Sequence, residues 1–309
     1  MMHAYSDLER EYFFLSRSDA TRRERQSDLT ELGFKLKHLA SLVKKGISNE
    51  VFGRNARGVV FETANGLMAA DLGDVEIANA LGFKGGYSVG QIAFLKHKIA
   101  PADCVYVIGA HIGTMTIPVA GLCAKLYAFE PNPDSCKLLE MNVRLNNVTN
   151  ATLFNLGTYN ENRQLSFLQS RANSGGSKMI PKRPSFMYSY DDPDKIDITV
   201  VRLDDFIEQQ HLLRPDFIIL DVEGAEYATL QGAERALAGC RCLYMEFVPH
   251  HLQNVAGVSV DDLLSTLLPY FDNLQIAGRE GTFRGNEIRT LLIQIFSNGV
   301  SCDLLFSKK

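Results

Sequence analysis

Acidic residues and glycines directly follow apolar segments at several points of this 309-residue sequence. Residues 105–109 read Val-Tyr-Val-Ile-Gly, and residues 126–130 read Leu-Tyr-Ala-Phe-Glu. Asp221 and Glu246 each end a later apolar segment. Ligands of an open α/β sheet bind beyond the carboxyl ends of its strands. We therefore expect these side chains to converge on one edge of a sheet and to form a binding or catalytic site there.

The first two of these segments predict a nucleoside or nucleotide site. A glycine turn after a buried strand lets the backbone approach a ligand closely, and the helix that follows offers free N–H groups. Glu130 lies about 20 residues beyond Gly109, where an acid can accept hydrogen bonds from both ribose hydroxyls. The residues assigned to this site are Gly109, Ala110, His111, Ile112, Gly113, Glu130, Pro131 and Asn132.

A strand–helix–strand unit must hold these residues in place. Residues 105–108 are apolar on both faces, as a buried parallel strand is. Residues 114–125 are predicted to form the crossover helix, and residues 126–129 the next strand, which the prolines of the following Pro-Asn-Pro loop end. A helix over 134–145 then leads to a third strand that ends at Gly157, and we add Gly157 to the same ligand site.

The remainder of the chain alternates strands with helices, which predicts a doubly wound α/β sheet. The predicted elements are a hairpin over 59–70, helices over 74–81 and 89–99, strands over 163–169 and 198–201, a helix from 203 capped by Asp204 or Asp205, a strand over 217–220, a helix to about 237, a strand over 242–245, a helix over 260–268, a strand over 273–276, a helix over 286–296 and a strand over 302–306. Residues 171–197 lack periodicity, so they are either a lid or binding loop, or a disordered insertion.

The N-terminal part of the chain, residues 1–47, is polar and predicted to be helical. Leu8, Tyr12 and Leu15 follow one helix face. A second face carries the leucines Leu29, Leu32, Leu36, Leu39 and Leu42. An amphipathic helix must cover something, which here is the main domain, a second subunit in a homodimer, or a substrate cleft. We expect these helices to be packed rather than disordered.

Composition excludes several classes of function. A net charge of −4 gives no general reason to bind nucleic acid or an anionic membrane. Residues 105–124 are uncharged, but they contain His111 and Pro118 and lie inside the strand–helix pattern, so a membrane span is not expected. The six cysteines show no Cys-x-x-Cys spacing and the N-terminus lacks a secretory pattern, which predicts reduced thiols and a cytoplasmic location.

At these motifs the sequence resembles the FkbM-type family of S-adenosylmethionine-dependent methyltransferases. The resemblance rests on residues 107–113, 128–133, Leu139, Asn142, 173–177, 203–206, 221–226, Leu230, Gly232, Ala233 and Glu246. It implies a doubly wound, seven-stranded methyltransferase sheet with a reversed final strand over residues 59–309, preceded by a helical N-terminal extension, 1–58. It also implies S-adenosylmethionine as cofactor and methyl transfer to a hydroxyl of a saccharide or small metabolite.

Three positions depart from the family pattern. The family usually has Asp at the position of Val107, Asn at that of His111, and Lys at that of Ile219. The first change removes an acid that the resemblance places near the amino-acid end of the cofactor. The last removes a cation beside the acceptor. The departures are compatible either with a divergent substrate or with reduced activity.

Methyl transfer to a hydroxyl needs a group that takes the hydroxyl proton. Asp221 is the leading candidate because it follows a buried strand, where partial burial raises a carboxyl pKa towards working pH. Asp221 is also assigned to the cofactor site. Glu223 is the second candidate, and His250 and His251 follow the neighbouring strand. The alternative is that Asp221 and Glu223 only cap the next helix. Adjacent histidines have no standard ligand spacing, so no metal is predicted.

Two further functions stay open. An NAD-type oxidoreductase would use the same kind of loop, although Ala110 and His111 replace the middle glycine of its fingerprint. A non-catalytic member that binds the cofactor or a partner protein is kept open by Val107. Binding of S-adenosylhomocysteine or of NAD would separate the methyltransferase from the oxidoreductase.

Overall fold

The computed structural model describes residues 20–308 except Arg54 and Arg57, with side chains from Thr30 onward. Its α-helices are α1 (Ala20–Phe52), α2 (Ile77–Lys84), α3 (Val89–Leu95), α4 (Thr116–Ala120), α5 (Pro133–Leu145), α6 (Leu203–Gln209), α7 (Glu226–Gln231), α8 (Glu234–Gly239), α9 (Val260–Leu267) and α10 (Asn286–Asn298). Its strands are β1 (Val59–Thr63), β2 (Gly66–Ala70), β3 (Cys104–Ile108), β4 (Lys125–Phe129), β5 (Ala151–Phe154), β6 (Gly157–Tyr159), β7 (Arg163–Gln169), β8 (Lys178–Met179), β9 (Asp194–Arg202), β10 (Phe217–Leu220), β11 (Cys242–Phe247), β12 (Asn273–Ile276), β13 (Phe283–Arg284) and β14 (Cys302–Ser307).

The main sheet is mixed, with strand order β13-β12-β14-β11-β10-β3-β4-β5. Strands β3, β4, β5, β10 and β11 run parallel, and β14 is reversed between β11 and β12. The α/β class and the reversed final strand are therefore confirmed. The expected count of seven strands was too low for this sheet, because the short strand β13 pairs with the outer edge of β12.

Alternating side chains of each central strand enter two different hydrophobic cores. Tyr106 and Ile108 pack on one face of the sheet with α7, α8, α9 and α10. Val105 and Val107 pack on the other face with α4 and the helix that precedes β3. Burial on both faces explains why the sequence of β3 is continuously apolar rather than alternating.

The crossover helix and the helix after β10 are shorter than the sequence pattern suggested, and α3 ends at Leu95 rather than at residue 99. The crossover helix α4 has five residues, and the Asn150 side chain satisfies the carbonyls of Ala120 and Cys123 beyond its end. The helix after β10 is broken into α7 and α8. Asp204 makes no cap for α6; its carboxylate instead accepts the first N–H groups of α8, from Arg235 and Ala236.

Residues 171–197 form a folded segment rather than a disordered insertion. They include β8, two short 3₁₀ helices and the start of β9, within a second sheet of order β6-β9-β7-β8. The buried Asp191 carboxylate fixes the segment by accepting hydrogen bonds from the Ser170 hydroxyl and from the N–H groups of Arg171 and Ala172.

The N-terminal helix α1 is continuous over 33 residues. It contacts the rest of the chain through Ser41, which donates to the Gly73 carbonyl, and through Phe34, whose ring lies 4.8 Å from that of Tyr190. Its leucine face is not covered: four side chains are more than half exposed, namely Leu32, Leu36, Leu39 and Leu42. Of the three alternatives for what covers this face, the main domain is therefore excluded for these four leucines. The expected pattern at Leu8, Tyr12 and Leu15 lies outside the described residues.

Among the helices of residues 20–308, none is both long enough and apolar enough to cross a membrane.

Gly109 is required by the fold itself rather than only by a ligand. Its φ is +87°, and a Cβ built on it would lie 1.6 Å from the Asp221 carbonyl oxygen. From the sequence, this glycine was explained only by the close approach of a ligand, and the contact with Asp221 is a second reason for it. The ends of β3 and β10 approach so closely that no side chain fits between them.

We expect Gly109→Ala to destabilise the protein by about 3 kcal/mol or more, because the clash is with backbone that cannot rotate away. Gly278→Ala is the matched control, since Gly278 has φ of +74° but open space around its Cβ position. The control should lose only about 1 kcal/mol from backbone strain. Urea denaturation of both variants measures the difference, and equal losses would show that the contact with Asp221 is not limiting.

Candidate functional site

A cavity of about 210 Å³ lies beyond the carboxyl ends of β3, β4 and β10. Nine of the residues predicted from the sequence line it: Gly109, Ala110, His111, Glu130, Pro131, Gly157, Asp221, Glu223 and Glu246. Three residues predicted for the cofactor do not. Ile112 is buried in a hydrophobic cluster with Met68 and Ile77, Gly113 faces Leu139, and Asn132 caps α5. These three residues lie behind the cavity wall and support it without lining the cavity.

Glu130 lies at the floor of this cavity and is 5% exposed. One carboxylate oxygen accepts the His111 N–H at 2.7 Å, and the other accepts the Asn132 N–H at 2.8 Å. Burial raises the Glu130 pKa to about 7, against the opposing effect of these two N–H groups. Each oxygen keeps a lone pair for a further donor.

His111 connects the glycine loop to the 171–197 segment. It adopts a left-handed backbone conformation with φ of +50°, and its Nε2 lies 2.7 Å from the Ser174 hydroxyl oxygen. Because the Ser174 hydroxyl donates to Asp74, the His111 Nε2–H donates to Ser174. Burial lowers the His111 pKa to about 4, so the imidazole is neutral at physiological pH. Asparagine, which the family usually has at this position, has a shorter side chain than histidine.

Carboxylates from three neighbouring strands meet at the opposite wall of the cavity. Glu246 is the register partner of Asp303, and Asp221 directly follows β10. Oxygens of Asp221, Glu223 and Glu246 all lie within 4.8 Å of one another, a grouping able to hold a metal ion. Asp221 and Glu246 were expected from the sequence to share one edge of the sheet, but a metal ion was not predicted there. The sequence signal for this grouping was the position of each acid at or just after the end of a predicted strand.

The pKa values of Asp221 and Glu246 are both raised. Burial is the main cause, and the neighbouring carboxylates add to it. Asp221 is accessible from the cavity, yet protein atoms surround it on the other sides, so its charge is poorly solvated. At neutral pH these two groups therefore retain a proton more readily than ordinary carboxyls do.

The alternative in which Asp221 and Glu223 cap the following helix was wrong. Helix α7 begins at Glu226, and its N-cap residue makes no side-chain hydrogen bond. Instead the Glu226 carboxylate accepts the N–H groups of Val222 and Gly224. Glu226 is the structural acid of this turn, which leaves Asp221 and Glu223 free to face the cavity.

A second cavity, of about 270 Å³, adjoins the first and shares Glu223 and Glu246 with it. Its walls come from α1, from the 171–197 segment and from the chain after β11. The residues that give it its chemical character are Phe34, Lys37, Lys178, Tyr188, Tyr190, His250 and His251. His250, predicted as a catalytic residue, therefore lines the second cavity and not the first.

Lys178 belongs to the candidate site but was not predicted from the sequence. Its buried ammonium lies 3.0 Å from a Glu223 carboxylate oxygen and 3.4 Å from His251 Nε2. The lysine expected at position 219 is replaced by the buried Ile219, and Lys178 brings a cation to the site from another element. The only sequence signal was its position directly after the 173–177 motif.

The two histidines of the second cavity are neutral. Burial is the main reason that the His251 pKa falls to about 2, and the neighbouring Lys178 and His250 lower it further. Burial, with Lys178, also lowers the His250 pKa to about 4. His250 Nδ1 lies 3.0 Å from the Tyr188 hydroxyl oxygen, and His251 Nε2 lies 3.3 Å from Glu223.

The fold and these cavities define an α/β protein of methyltransferase type. A family model described as the methyltransferase FkbM domain matches residues 108–280. The chain therefore belongs to the FkbM methyltransferase family. A search of curated proteins found no match.

Solved structures with a similar fold are methyltransferases of low sequence identity. Methyltransferase FkbM from Methylobacillus flagellatus KT is 18% identical, with a TM-score of 0.42 over 67% of this chain and 44% of its own. This chain thus spans less than half the length of that protein. An rRNA methylase from Streptococcus thermophilus is 14% identical, with a TM-score of 0.40 over 71% of this chain and 93% of its own. A putative methyltransferase from Streptococcus mutans in complex with SAH is 11% identical, with a TM-score of 0.40 over 71% and 96%.

Replacing Lys178 by methionine should cost on the order of 2–3 kcal/mol of stability, because Glu223 then loses its counter-charge in a mostly buried site. The same variant should raise the pKa of His251, since Lys178 is one cause of its low value. Urea denaturation and histidine ¹⁵N NMR over a pH series measure the two effects. Lys195→Met is the control, because Lys195 is exposed on β9. Equal effects in both variants would contradict the assigned ion pair.

Proposed function

We propose that this protein is an S-adenosylmethionine-dependent methyltransferase that methylates a hydroxyl of a saccharide or another small metabolite. The observation that carries the proposal is Glu130: a buried carboxylate at the end of β4, each oxygen held by one backbone N–H, at the floor of the first cavity. Paired hydroxyl donors such as those of a ribose match the two remaining lone pairs. Membership of the FkbM family supports the same assignment.

The residues around the first cavity fit such a cofactor. The loop after β3 turns at Gly109 with a positive φ, which leaves its backbone open to the cavity. An adjoining wall is formed by Pro131, Leu156 and Gly157, and it suits the apolar face of a nucleobase. S-adenosylmethionine supplies an already activated methyl group, so the chain mainly has to position an acceptor against it, which can lower a barrier by about 7–11 kcal/mol.

We assign the second cavity to the acceptor. Aromatic rings of Phe34, Tyr188 and Tyr190 can pack against the apolar faces of a sugar-like ring, while Lys37 and Asp191 offer polar groups. The cavity reaches the first at Glu223 and Glu246. An acceptor hydroxyl at this junction lies beside both cavities, as transfer between two bound molecules requires.

Glu223 is the group that we propose takes the proton of the acceptor hydroxyl. Lys178 and His251 hold one of its oxygens, and the nearby ammonium stabilises its negative charge. Asp221, the first choice from the sequence, has a raised pKa and so retains its own proton more readily. His250 is engaged with Tyr188 and serves to shape the acceptor cavity.

The other parts of the proposal concern assembly and location. We propose a homodimer contact through α1, because its exposed leucine face would otherwise remain in water. We propose a cytoplasmic location, which agrees with six unpaired cysteines. We propose that neither a nucleic acid nor a membrane is a partner of this protein. An NAD-type oxidoreductase and a non-catalytic binding protein are the alternatives that ligand titration excludes or supports.

Glu130→Gln should weaken S-adenosylhomocysteine binding by about 10–100-fold, the loss expected for charge-assisted hydrogen bonds. In the unaltered protein the affinity should fall as pH drops from 8 to 6, because a carboxylate with a pKa of about 7 becomes protonated and accepts hydroxyl donors less well. Glu130→Gln should remove this pH dependence. Calorimetric titrations at both pH values measure it.

Glu140→Gln, an exposed position on α5, is the control for this titration and should bind normally. NAD titrated into the same samples tests the oxidoreductase alternative. Unchanged affinity in Glu130→Gln, or binding of NAD in place of S-adenosylhomocysteine, would refute the cofactor assignment.

Glu223→Gln should lower the rate of methyl transfer by roughly 10²–10⁴, the usual range for loss of a general base, with little change in S-adenosylhomocysteine affinity. Labelled S-adenosylmethionine with a panel of sugars and hydroxylated metabolites first finds an acceptor, and the variant is then assayed on it. A variant that retains the full rate would return the base role to Asp221 or His251.

A further inference from the structure

A chain of three side chains joins the glycine loop to the start of the 171–197 segment. The His111 Nε2–H donates to the Ser174 hydroxyl oxygen at 2.7 Å, and the Ser174 hydroxyl donates to an Asp74 carboxylate oxygen. His111 and Ser174 both line the first cavity. Asp74 is 3% exposed and lies just before α2. The chain of hydrogen bonds therefore runs from the cavity wall into the protein interior.

The inner end of this chain is fixed by backbone hydrogen bonds. Asp74 accepts the Ile77 N–H at 2.8 Å with one carboxylate oxygen and the Ser174 N–H at 2.9 Å with the other. The adjacent Val75 N–H donates to the Ala172 carbonyl at 2.8 Å. A carboxylate held by two backbone N–H groups cannot turn easily. The Ser174 hydroxyl that donates to it is therefore held in one orientation, with its oxygen lone pairs free to accept.

The outer end of the chain acts on the backbone of the glycine loop. His111 has φ of +50°, a left-handed conformation that costs free energy for any residue with a side chain. Rotation about its N–Cα bond turns the imidazole relative to the N–H group. An imidazole anchored at Ser174 therefore restrains the direction of the His111 N–H, which donates to a Glu130 carboxylate oxygen at 2.7 Å.

We propose that Ser174 is a positioning residue for Glu130. Through His111 it holds one of the two backbone N–H groups that orient the Glu130 carboxylate. Asp74 keeps the Ser174 hydroxyl turned so that its oxygen accepts from the imidazole. The inference rests on the proposed function only where Glu130 is assigned to a cofactor, since the positioning is a property of the protein alone. Asparagine, the usual residue of the family at position 111, tolerates the left-handed conformation and needs no such anchor.

The pKa of Glu130 reports on the hydrogen bonds that its carboxylate accepts. Burial raises this pKa to about 7, and the N–H groups of Asn132 and His111 oppose the rise. Two titratable groups lie close to Glu130, and both keep their charge near neutral pH: the His111 imidazole has a pKa lowered to about 4 by burial, and burial raises the pKa of the Cys136 thiol to about 11. Among the described lysines and arginines, none forms an ion pair with Glu130. A weaker bond from the His111 N–H should therefore raise the Glu130 pKa.

Carbon-13 NMR of the ligand-free, full-length protein with labelled glutamate tests the positioning without a cofactor. Ser174→Ala should raise the Glu130 pKa by about one pH unit, because a hydrogen bond to the ionised carboxylate is weakened. Ser189→Ala is the matched control: Ser189 is an exposed serine of the same segment, and its replacement should leave the Glu130 pKa unchanged. An unchanged pKa in Ser174→Ala, or an equal rise in both variants, would overturn the proposal.

A double-mutant cycle separates positioning through His111 from a general loosening of the segment. Asparagine at position 111 holds the left-handed conformation without an anchor, so in a His111→Asn background Ser174→Ala should leave the Glu130 pKa unchanged. A rise of the same size in both backgrounds would show that Ser174 acts on Glu130 by another route, and the proposal would then be wrong.

S-adenosylhomocysteine titrated into the same samples at pH 7 separates this inference from the cofactor assignment. Ser174→Ala should bind about tenfold more weakly than the unaltered protein, and the double variant should bind as His111→Asn alone does. If the unaltered protein binds no S-adenosylhomocysteine, only the cofactor assignment fails, because the NMR titration still decides the positioning. If it binds S-adenosylhomocysteine but the Glu130 pKa does not respond to Ser174→Ala, only the positioning fails.

Discussion

Repulsion among carboxylates at the carboxyl edge of the main sheet is the constraint on which the site depends. Hydrogen-bonded register fixes Glu246 against Asp303, and the approach of Gly109 to the Asp221 carbonyl fixes the ends of β3 and β10. The backbone thus holds like charges close together in a poorly solvated place, which raises carboxyl pKa values. Asp221 and Glu246 therefore hold a proton more readily than a carboxyl group in water does.

The 171–197 segment completes what the sheet leaves open. It carries Ser174 to the glycine loop and Lys178 to Glu223, and its Tyr188 and Tyr190 line the second cavity. Helix α1 packs on it through Phe34. A long insertion with no periodicity in its sequence therefore holds the polar groups that distinguish this site from a bare strand-end cavity.

Local patterns predicted the parts of the molecule that local physics decides. The buried parallel strands, the hairpin over 59–70 and the strand-end acids were readable because apolar runs and turn residues act over a few positions. Contacts across the chain were not readable. Nothing near Lys178 in sequence shows that it meets Glu223, and Asp204 was assigned to its own helix although it caps α8. Gly109 was chosen correctly for the turn, but the atom that excludes a side chain belongs to Asp221, which no local pattern reveals.

Ser174 and Lys178 stand one short turn apart in the chain, yet each touches a different cavity. A ligand that orders the glycine loop around His111 also restrains Ser174, and with it the backbone that carries Lys178. Where a ligand in one cavity shifts this segment, it would change the affinity for a ligand in the other by a coupling free energy. That coupling is reciprocal, so each ligand changes the affinity for its partner by the same factor. If the coupling is positive, the protein would favour the complex with both cavities filled over either complex with one.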